Sequence, residues 1–298
     1  MIETIDLWFS YGDREVLKGV NFKAVREKVT VLMGKNGAGK TTLLMHLNGL
    51  LKPKKGEVRF DGKKIDYSKK SLLELRKKVS IVFQNPDEQI VAPTVWQEVA
   101  FGPANAGMGF EKIGEALKLV GLEGYERRLC SQLSGGEKKK LSIADAIAMD
   151  PEFIVLDEPT AGLDQPGFDA IVKLIKKLRN DGKGVIIATH DFDLAKKVGD
   201  RFYYLDGGRI VYEGDQLNFE LARKIGIRTY GFGELVISNE NGKSGDLIFV
   251  LNEDSPKEIF DRVLNAILKA SEGHRVILNF KNNCLEKIKE LINSEGKK

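Results

Sequence analysis

The run Gly34-Lys35-Asn36-Gly37-Ala38-Gly39-Lys40-Thr41 carries three glycines, two lysines and a threonine and fits the spacing G-x-x-x-x-G-K-[ST]. Glycines let successive backbone N–H groups turn inward on an anion, and a helix starting here adds the positive end of its dipole. Such a loop cradles phosphates, with Lys40 reaching the β- and γ-phosphates of a nucleotide and the Thr41 hydroxyl placed to coordinate Mg²⁺. Thr42 follows directly and completes the expected binding set. A second chemical element is Asp157-Glu158, which ends the apolar run Phe153-Ile154-Val155-Leu156. Asp157 is suited to hold Mg²⁺ through water, and Glu158 to polarise an attacking water.

These residues need elements to aim them. The segment 28–33 is short, β-branched and nearly all apolar, as a buried strand should be, and it runs straight into Gly34. Helical character follows over 41–51. The runs 153–156 and 185–188 are two more apolar strands, alternating with a helical pattern over 168–178. Strand, helix, strand with wholly apolar strands implies a mostly parallel sheet covered on both faces, with its site at the carboxyl ends of the strands. Before this core, 3–9 and 16–25 alternate in polarity as antiparallel strands do, and 56–65 reads as a hairpin about Asp61-Gly62. Residues from about 86 to 150 mix a Gly- and Pro-punctuated stretch with two helical patterns, an expected helical insertion. The expected architecture is therefore an α/β domain over 1–217 with an antiparallel β-subdomain and an inserted helical subdomain, followed by a small α+β domain over 218–298. In the latter, 234–238 and 246–251 form a hairpin signal around Asn241-Gly242. A capping box opens a helix at Ser255-Pro256-Lys257-Glu258, and a strand at 275–280 and a helix at 284–292 follow.

Composition narrows the function classes. The chain has 298 residues, 42% hydrophobic and 30% charged, with a formal net charge of +4, and its lysines are interspersed with acids. A dedicated nucleic-acid surface would need a denser basic stripe. No apolar run reaches the roughly 18–20 residues that span a bilayer, and the N-terminus lacks a targeting pattern, so a cytosolic protein is expected. Cys130 and Cys284 are far apart and suit neither a disulfide framework nor a zinc site.

Leu133-Ser134-Gly135-Gly136-Glu137 lies about twenty residues ahead of Asp157 and resembles the signature motif of the ATP-binding-cassette (ABC) ATPases. The phosphate loop, this motif, Asp157-Glu158-Pro159-Thr160, Ala161-Gly162-Leu163-Asp164 and Thr189-His190-Asp191 occur in the family's order over roughly the first 215 residues. The resemblance implies a P-loop NTPase fold, ATP and Mg²⁺ as ligands, and further roles by position. Tyr11 corresponds to the aromatic on which adenine stacks. Gln84 corresponds to the glutamine linking Mg²⁺ and attacking water to the transporter interface. His190 corresponds to the switch histidine at the γ-phosphate, and Asp164 to the acid that meets the opposite subunit. Ser134, Gly135, Gly136 and Glu137 would close over nucleotide held by a second ATPase subunit, head to tail. Where Gln, Gln and Arg are usual, this chain has Glu137, Lys139 and Lys140.

The stretch from Gln84 to Pro103 resembles the energy-coupling factor group and its cobalt and nickel uptake relatives, importers of vitamins and transition metal ions. Asp87, Glu88, Gln89, Ile90 and Val91 combine acids with an apolar pair, either a groove for a membrane scaffold's coupling helix or a solvated turn. Membrane subunits would select the substrate, and this chain would sit at the cytoplasmic face of the membrane. Rival readings are an ABC ATPase of DNA repair, chromosomes or translation, and a non-catalytic nucleotide-binding module. The first would normally carry a long coiled-coil insertion or two cassettes, and the second conflicts with intact Lys40, Asp157, Glu158 and His190. The C-terminal domain suits either subunit contacts or packing on its own core. Whether the pair is of identical or related chains stays open.

Overall fold

Alternation of apolar and polar residues at the start of the chain produces two long strands, β1 (Ile2–Tyr11) and β2 (Arg14–Ala24), antiparallel about a tight turn at Gly12-Asp13. Ile2, Leu7, Leu17 and Val20 point inward and are fully buried. The apolar run that follows is β3 (Val29–Met33), and α1 (Lys40–Leu47) begins at the lysine of the glycine loop. Strands β4 (Lys55–Phe60) and β5 (Lys63–Lys64) form the hairpin about Asp61-Gly62, and β4 joins β1, giving a four-stranded antiparallel sheet ordered β2-β1-β4-β5. The computed structural model describes residues 1–227, 235–238, 247–251, 264–265, 268–269 and 276–280.

Next come α2 (Lys69–Lys78) and β6 (Val79–Val82), then α3 (Val95–Asn105), α4 (Ile113–Val120) and α5 (Gly135–Ala148). The insertion thus holds three helices where two patterns were expected. The short α4 lies between Gly109 and Gly121, and glycine punctuation interrupts its periodicity. The chain continues through β7 (Phe153–Asp157), α6 (Gln165–Asn180), β8 (Gly184–Thr189), α7 (Phe192–Val198), β9 (Arg201–Asp206), β10 (Arg209–Gly214) and α8 (Phe219–Lys224).

The second sheet has six strands in the order β10-β9-β3-β8-β7-β6, parallel except for β10. Every residue of β3, β7 and β8 is buried, which is why these strands lack alternation. Leu43, Leu44 and Leu47 of α1 pack in one cluster with Leu32, Val155 and Ile186 of this sheet and Leu7 and Leu17 of the first. The register decides what meets at the carboxyl edge. Met33 lies opposite Thr189, Asp157 opposite Ala188, and Val82 opposite Leu156. The glycine loop, Asp157-Glu158, Thr189-His190 and Gln84 must therefore emerge side by side.

The chain divides into two units, Met1–Ile227 and Arg228–Lys298. The expected boundary at 217/218 falls ahead of this division because the Tyr204 hydroxyl accepts from the Asn218 amide at 2.8 Å and donates to its carbonyl at 3.1 Å. Burial of Ala222 and Ile227 then anchors α8 to the first unit.

In the second unit β11 (Leu235–Ser238) and β12 (Leu247–Leu251) each pair in parallel with β13 (Val276–Phe280), in the order β11-β13-β12. The hairpin expected between the first two is not formed, since β13 lies between them; long-range pairing overrides the local turn signal. Asn241-Gly242, His274 and the helices from Ser255 and Cys284 lie outside the described residues, apart from helical Leu264, Asn265, Leu268 and Lys269. Among the described residues no helix is long and apolar enough to cross a membrane.

Candidate functional site

The glycine loop leaves β3 and turns into α1 through Gly39, whose φ of 107° is open to glycine alone, and where a Cβ would press on Leu17 Cδ2 at 3.1 Å. The turn delivers Lys40 inward. Its ammonium donates to the Gly34 carbonyl at 2.8 Å and lies 3.2 Å from Glu158 Oε1. Both side chains are buried, so removing either would strand the other, at a cost of about 3–5 kcal/mol. The Thr41 hydroxyl donates to Asp157 Oδ2 at 2.5 Å. Burial pushes the Asp157 carboxyl above its ordinary range, against the pull of the Thr41 hydrogen bond.

Glu158 sits just past the end of β7 with φ 46°, in the left-handed region that costs a non-glycine residue roughly 1–2 kcal/mol. That backbone turns its carboxylate toward β8. Oε2 accepts from the Thr189 hydroxyl at 2.9 Å and the His190 amide at 3.4 Å, and Oε1 meets His190 Nδ1 at 2.8 Å. The carboxylate is thus oriented by three hydrogen bonds from two residues, Thr189 and His190, and by the Lys40 ammonium. Thr160 Oγ1 donates to Asp191 Oδ2, and Asp191 caps α7, which holds the loop after β8 in place.

Lys40, Thr41, Asp157 and Glu158 line a cleft of about 390 Å³ together with Tyr11, Asn36, Gly37, Gly39, Thr42 and Gln84. Gly34 contributes its carbonyl from beneath, Ala38 is buried, and His190 reaches the cleft through Glu158. Tyr11 is half exposed and braced edge-on by Phe9 at 5.0 Å between ring centroids. Arg14 also lines the cleft; it was not anticipated, although it pairs directly across the β1–β2 turn from Tyr11. Thr41, Asp157 and Gln84 all line this cleft and carry side-chain oxygens, the donor type a hard cation such as Mg²⁺ prefers. Among the described residues no group of three His, Cys, Asp or Glu could hold a metal alone.

A separate cleft of about 540 Å³ is lined by Ser134, Gly136, Glu137, Lys139, Lys140, Gly162, Leu163 and Asp164, among others. Ser134 caps α5: its Oγ accepts from the Glu137 amide at 3.3 Å while Glu137 Oε2 accepts from the Ser134 amide at 2.8 Å. The departure to Glu137 thus completes a capping box, and the Ser134 amide holds this carboxyl below its ordinary range. The Ser134 hydroxyl keeps its own hydrogen to donate. A Cβ on Gly135 would meet nothing within 4 Å, and on Gly136 only Leu163 Cδ2 at 3.8 Å. Packing within the chain therefore requires glycine at neither position; bare N–H groups at a helix start are ready for an anion from outside. Asp164 caps α6 through the Gly167 amide at 2.9 Å and borders the same cleft.

The segment after β6 is divided in its facing. Glu88 and Val91 are exposed, Ile90 is half-buried, and Asp87 pairs with Lys138 at 2.6 Å. Gln89 turns inward instead, accepting from the Phe83 amide and donating to Asp145 Oδ2, both at 3.2 Å. It fastens the segment from beneath. Glu98, 2% exposed, accepts from the Val91 amide at 2.9 Å and the Ala92 amide at 2.6 Å. Neither Glu98 nor Asp145 was anticipated; an acid in the first turn of α3 was the available signal for Glu98.

Comparison with known proteins adds family information. A family model described as "ABC transporter" matches residues 17–161. A putative ABC transporter ATP-binding protein of Archaeoglobus fulgidus is 53% identical over 295 residues, covering 98% of this chain and 97% of that protein. The energy-coupling factor transporter ATP-binding protein EcfA of Methanocaldococcus jannaschii is 52% identical over 219 residues, 72% of this chain and 78% of that one. Among solved structures, the dimeric post-hydrolysis state of the ATP-binding cassette MJ0796 bound to ADP and Pi superposes with a TM-score of 0.66 at 32% identity, covering 73% of this chain and all of that one.

Proposed function

The chain belongs to the ABC transporter ATP-binding family, and on that premise we propose that it is the ATP-hydrolysing subunit of an energy-coupling factor importer, working as a head-to-tail pair. Its membrane partners, at whose cytoplasmic face it docks, select a vitamin or a transition metal ion. The observation that carries this reading is the presence of two separate anion-ready surfaces on one chain, the Lys40 cleft and the open Ser134 helix start. One triphosphate held in the first is then covered by the second from a neighbouring copy.

In this assignment Tyr11 stacks on adenine, and the amides from Asn36 to Thr41 and the Lys40 ammonium take the β- and γ-phosphates. Thr41, Asp157 and Gln84 would hold Mg²⁺, which neutralises charge on the phosphates when bound. Glu158, fixed by Thr189 and His190, keeps lone pairs to orient and polarise water in line with the γ-phosphorus. His190 stabilises the γ-phosphate side of that arrangement. Ser134, Gly135 and Gly136 of the second copy add donors to the γ-phosphate that ADP lacks, so closure depends on ATP. Docking of the scaffold uses the outward residues Asp87, Glu88, Ile90 and Val91.

The decisive experiment uses the purified full chain. The parent should release phosphate from MgATP, and Glu158→Gln, which preserves shape beside Lys40, should elute as a dimer with MgATP and as a monomer with MgADP. A variant that stayed monomeric in MgATP, or hydrolysed it at the parental rate, would overturn the reading.

A further inference from the structure

Three side chains of α5 fasten the segment from Gln84 to Ala92, and the assignment above uses none of them. Lys138 pairs with Asp87 at 2.6 Å, and Asp145 accepts from Gln89 at 3.2 Å. The third differs in kind. Lys139 is only 3% exposed, and its Nζ donates to the Gln84 backbone carbonyl at 2.5 Å. Nearby negative charge comes from Asp157 and Glu158. Stripping an ammonium of water costs several kcal/mol unless neighbours compensate, and here compensation comes from two segments outside its own helix, the Gln84 backbone and the tip of β7. A partly exposed pair such as Lys138 with Asp87 contributes at most about 1 kcal/mol. The buried cation therefore ties α5 directly to the Gln84 backbone, with the carboxylates at the end of β7 supplying compensating charge.

We propose that Lys139 is a positioning residue for hydrolysis, locking the backbone of Gln84 to the beginning of the helix capped by Ser134. A residue of the chain's own cleft and the surface it offers to a neighbour then move as one piece. The inference rests on the ATPase reading and assigns to this chain's lysine a role that a glutamine, one atom shorter and uncharged, would not fill.

The test compares Lys139→Met, Lys139→Gln and Lys139→Arg with the parent in the full-length chain, measuring kcat for MgATP, equilibrium MgATP binding and Tm. Lys139→Met should lose at least tenfold in kcat with MgATP affinity within threefold of the parent, and Lys139→Arg should recover kcat to within threefold. Should the methionine variant not fold, Lys139→Gln is read by the same thresholds. A kcat within twofold of the parent, a matching loss of affinity, or no rescue by arginine overturns the role. If the parent itself fails to hydrolyse MgATP, the ATPase reading falls and this inference with it; an active parent with an equally active Lys139→Met removes the positioning role alone.

Discussion

Glu158 Oε1 and His190 Nδ1 lie 2.8 Å apart. An ionised carboxylate only accepts, so a hydrogen on His190 Nδ1 points at Glu158. His190 is thereby a brace for Glu158. His190→Ala should lower kcat by about 10²-fold, the scale of losing one oriented polar group. Nucleotide affinity should stay within a few-fold, because Lys40 and the loop amides are untouched. Single-turnover phosphate release beside equilibrium binding separates the two; equal losses in both would count against the brace.

The 2.5 Å contact between Thr41 Oγ1 and Asp157 Oδ2 places two Mg²⁺-type oxygens together. Thr41→Val and Asp157→Asn should each raise the Mg²⁺ concentration for half-maximal turnover at least tenfold at fixed ATP. Titrating Mg²⁺ against rate provides the check, and an unchanged midpoint in both variants would refute the assignment.

Ser134 has two separable duties. Losing its cap costs about 1 kcal/mol, a Tm shift of roughly 2–4 °C for a domain of this size. Ser134→Ala should nevertheless abolish most MgATP turnover if the hydroxyl serves a neighbour's nucleotide. Melting curves and kcat on one preparation distinguish these effects, and a fall in Tm with full turnover would leave the cap as its sole role.

Burial raises the Asp145 carboxyl to about 7, so the folded chain holds a proton there that the unfolded chain releases near its ordinary value of 3.8. Between those values folding takes up a proton, and the stability from this group is fully present at low pH and lost as pH rises through about 7. Asp145→Asn removes the ionisation while keeping an acceptor for Gln89. The stability difference, variant minus parent, should therefore grow in the variant's favour from pH 4 to pH 8 and then level, by on the order of a few kcal/mol. Denaturant melts across that range would show it, and a difference independent of pH would contradict it.

Much of the site was legible because its residues sit in short motifs directly after wholly apolar strands: Gly34 after β3, Asp157 at the end of β7, His190 after β8. Their proximity depends on register, with Met33 opposite Thr189 and Asp157 opposite Ala188, which local patterns do not encode. The hidden part is polar residues that fold inward. Glu98, Asp145 and Lys139 lie on helices where charge ordinarily marks the solvent face, and their burial follows from the segment they capture. The inward hydrogen bonds of Gln89, which join Phe83 to Asp145, were hidden for the same reason. The hairpin expected from 234–238 and 246–251 is not formed because the strand at 276–280 pairs with both segments.

The Lys40 cleft and the Ser134 cleft have no lining residue in common. Under head-to-tail pairing, a chain crippled at Lys40 can still lend its helix start, and one crippled at Ser134 can still hold ATP. Mixing two such inactive populations would regenerate one intact site in every hybrid pair, so complementation between dead mutants is written into the geometry of a single subunit.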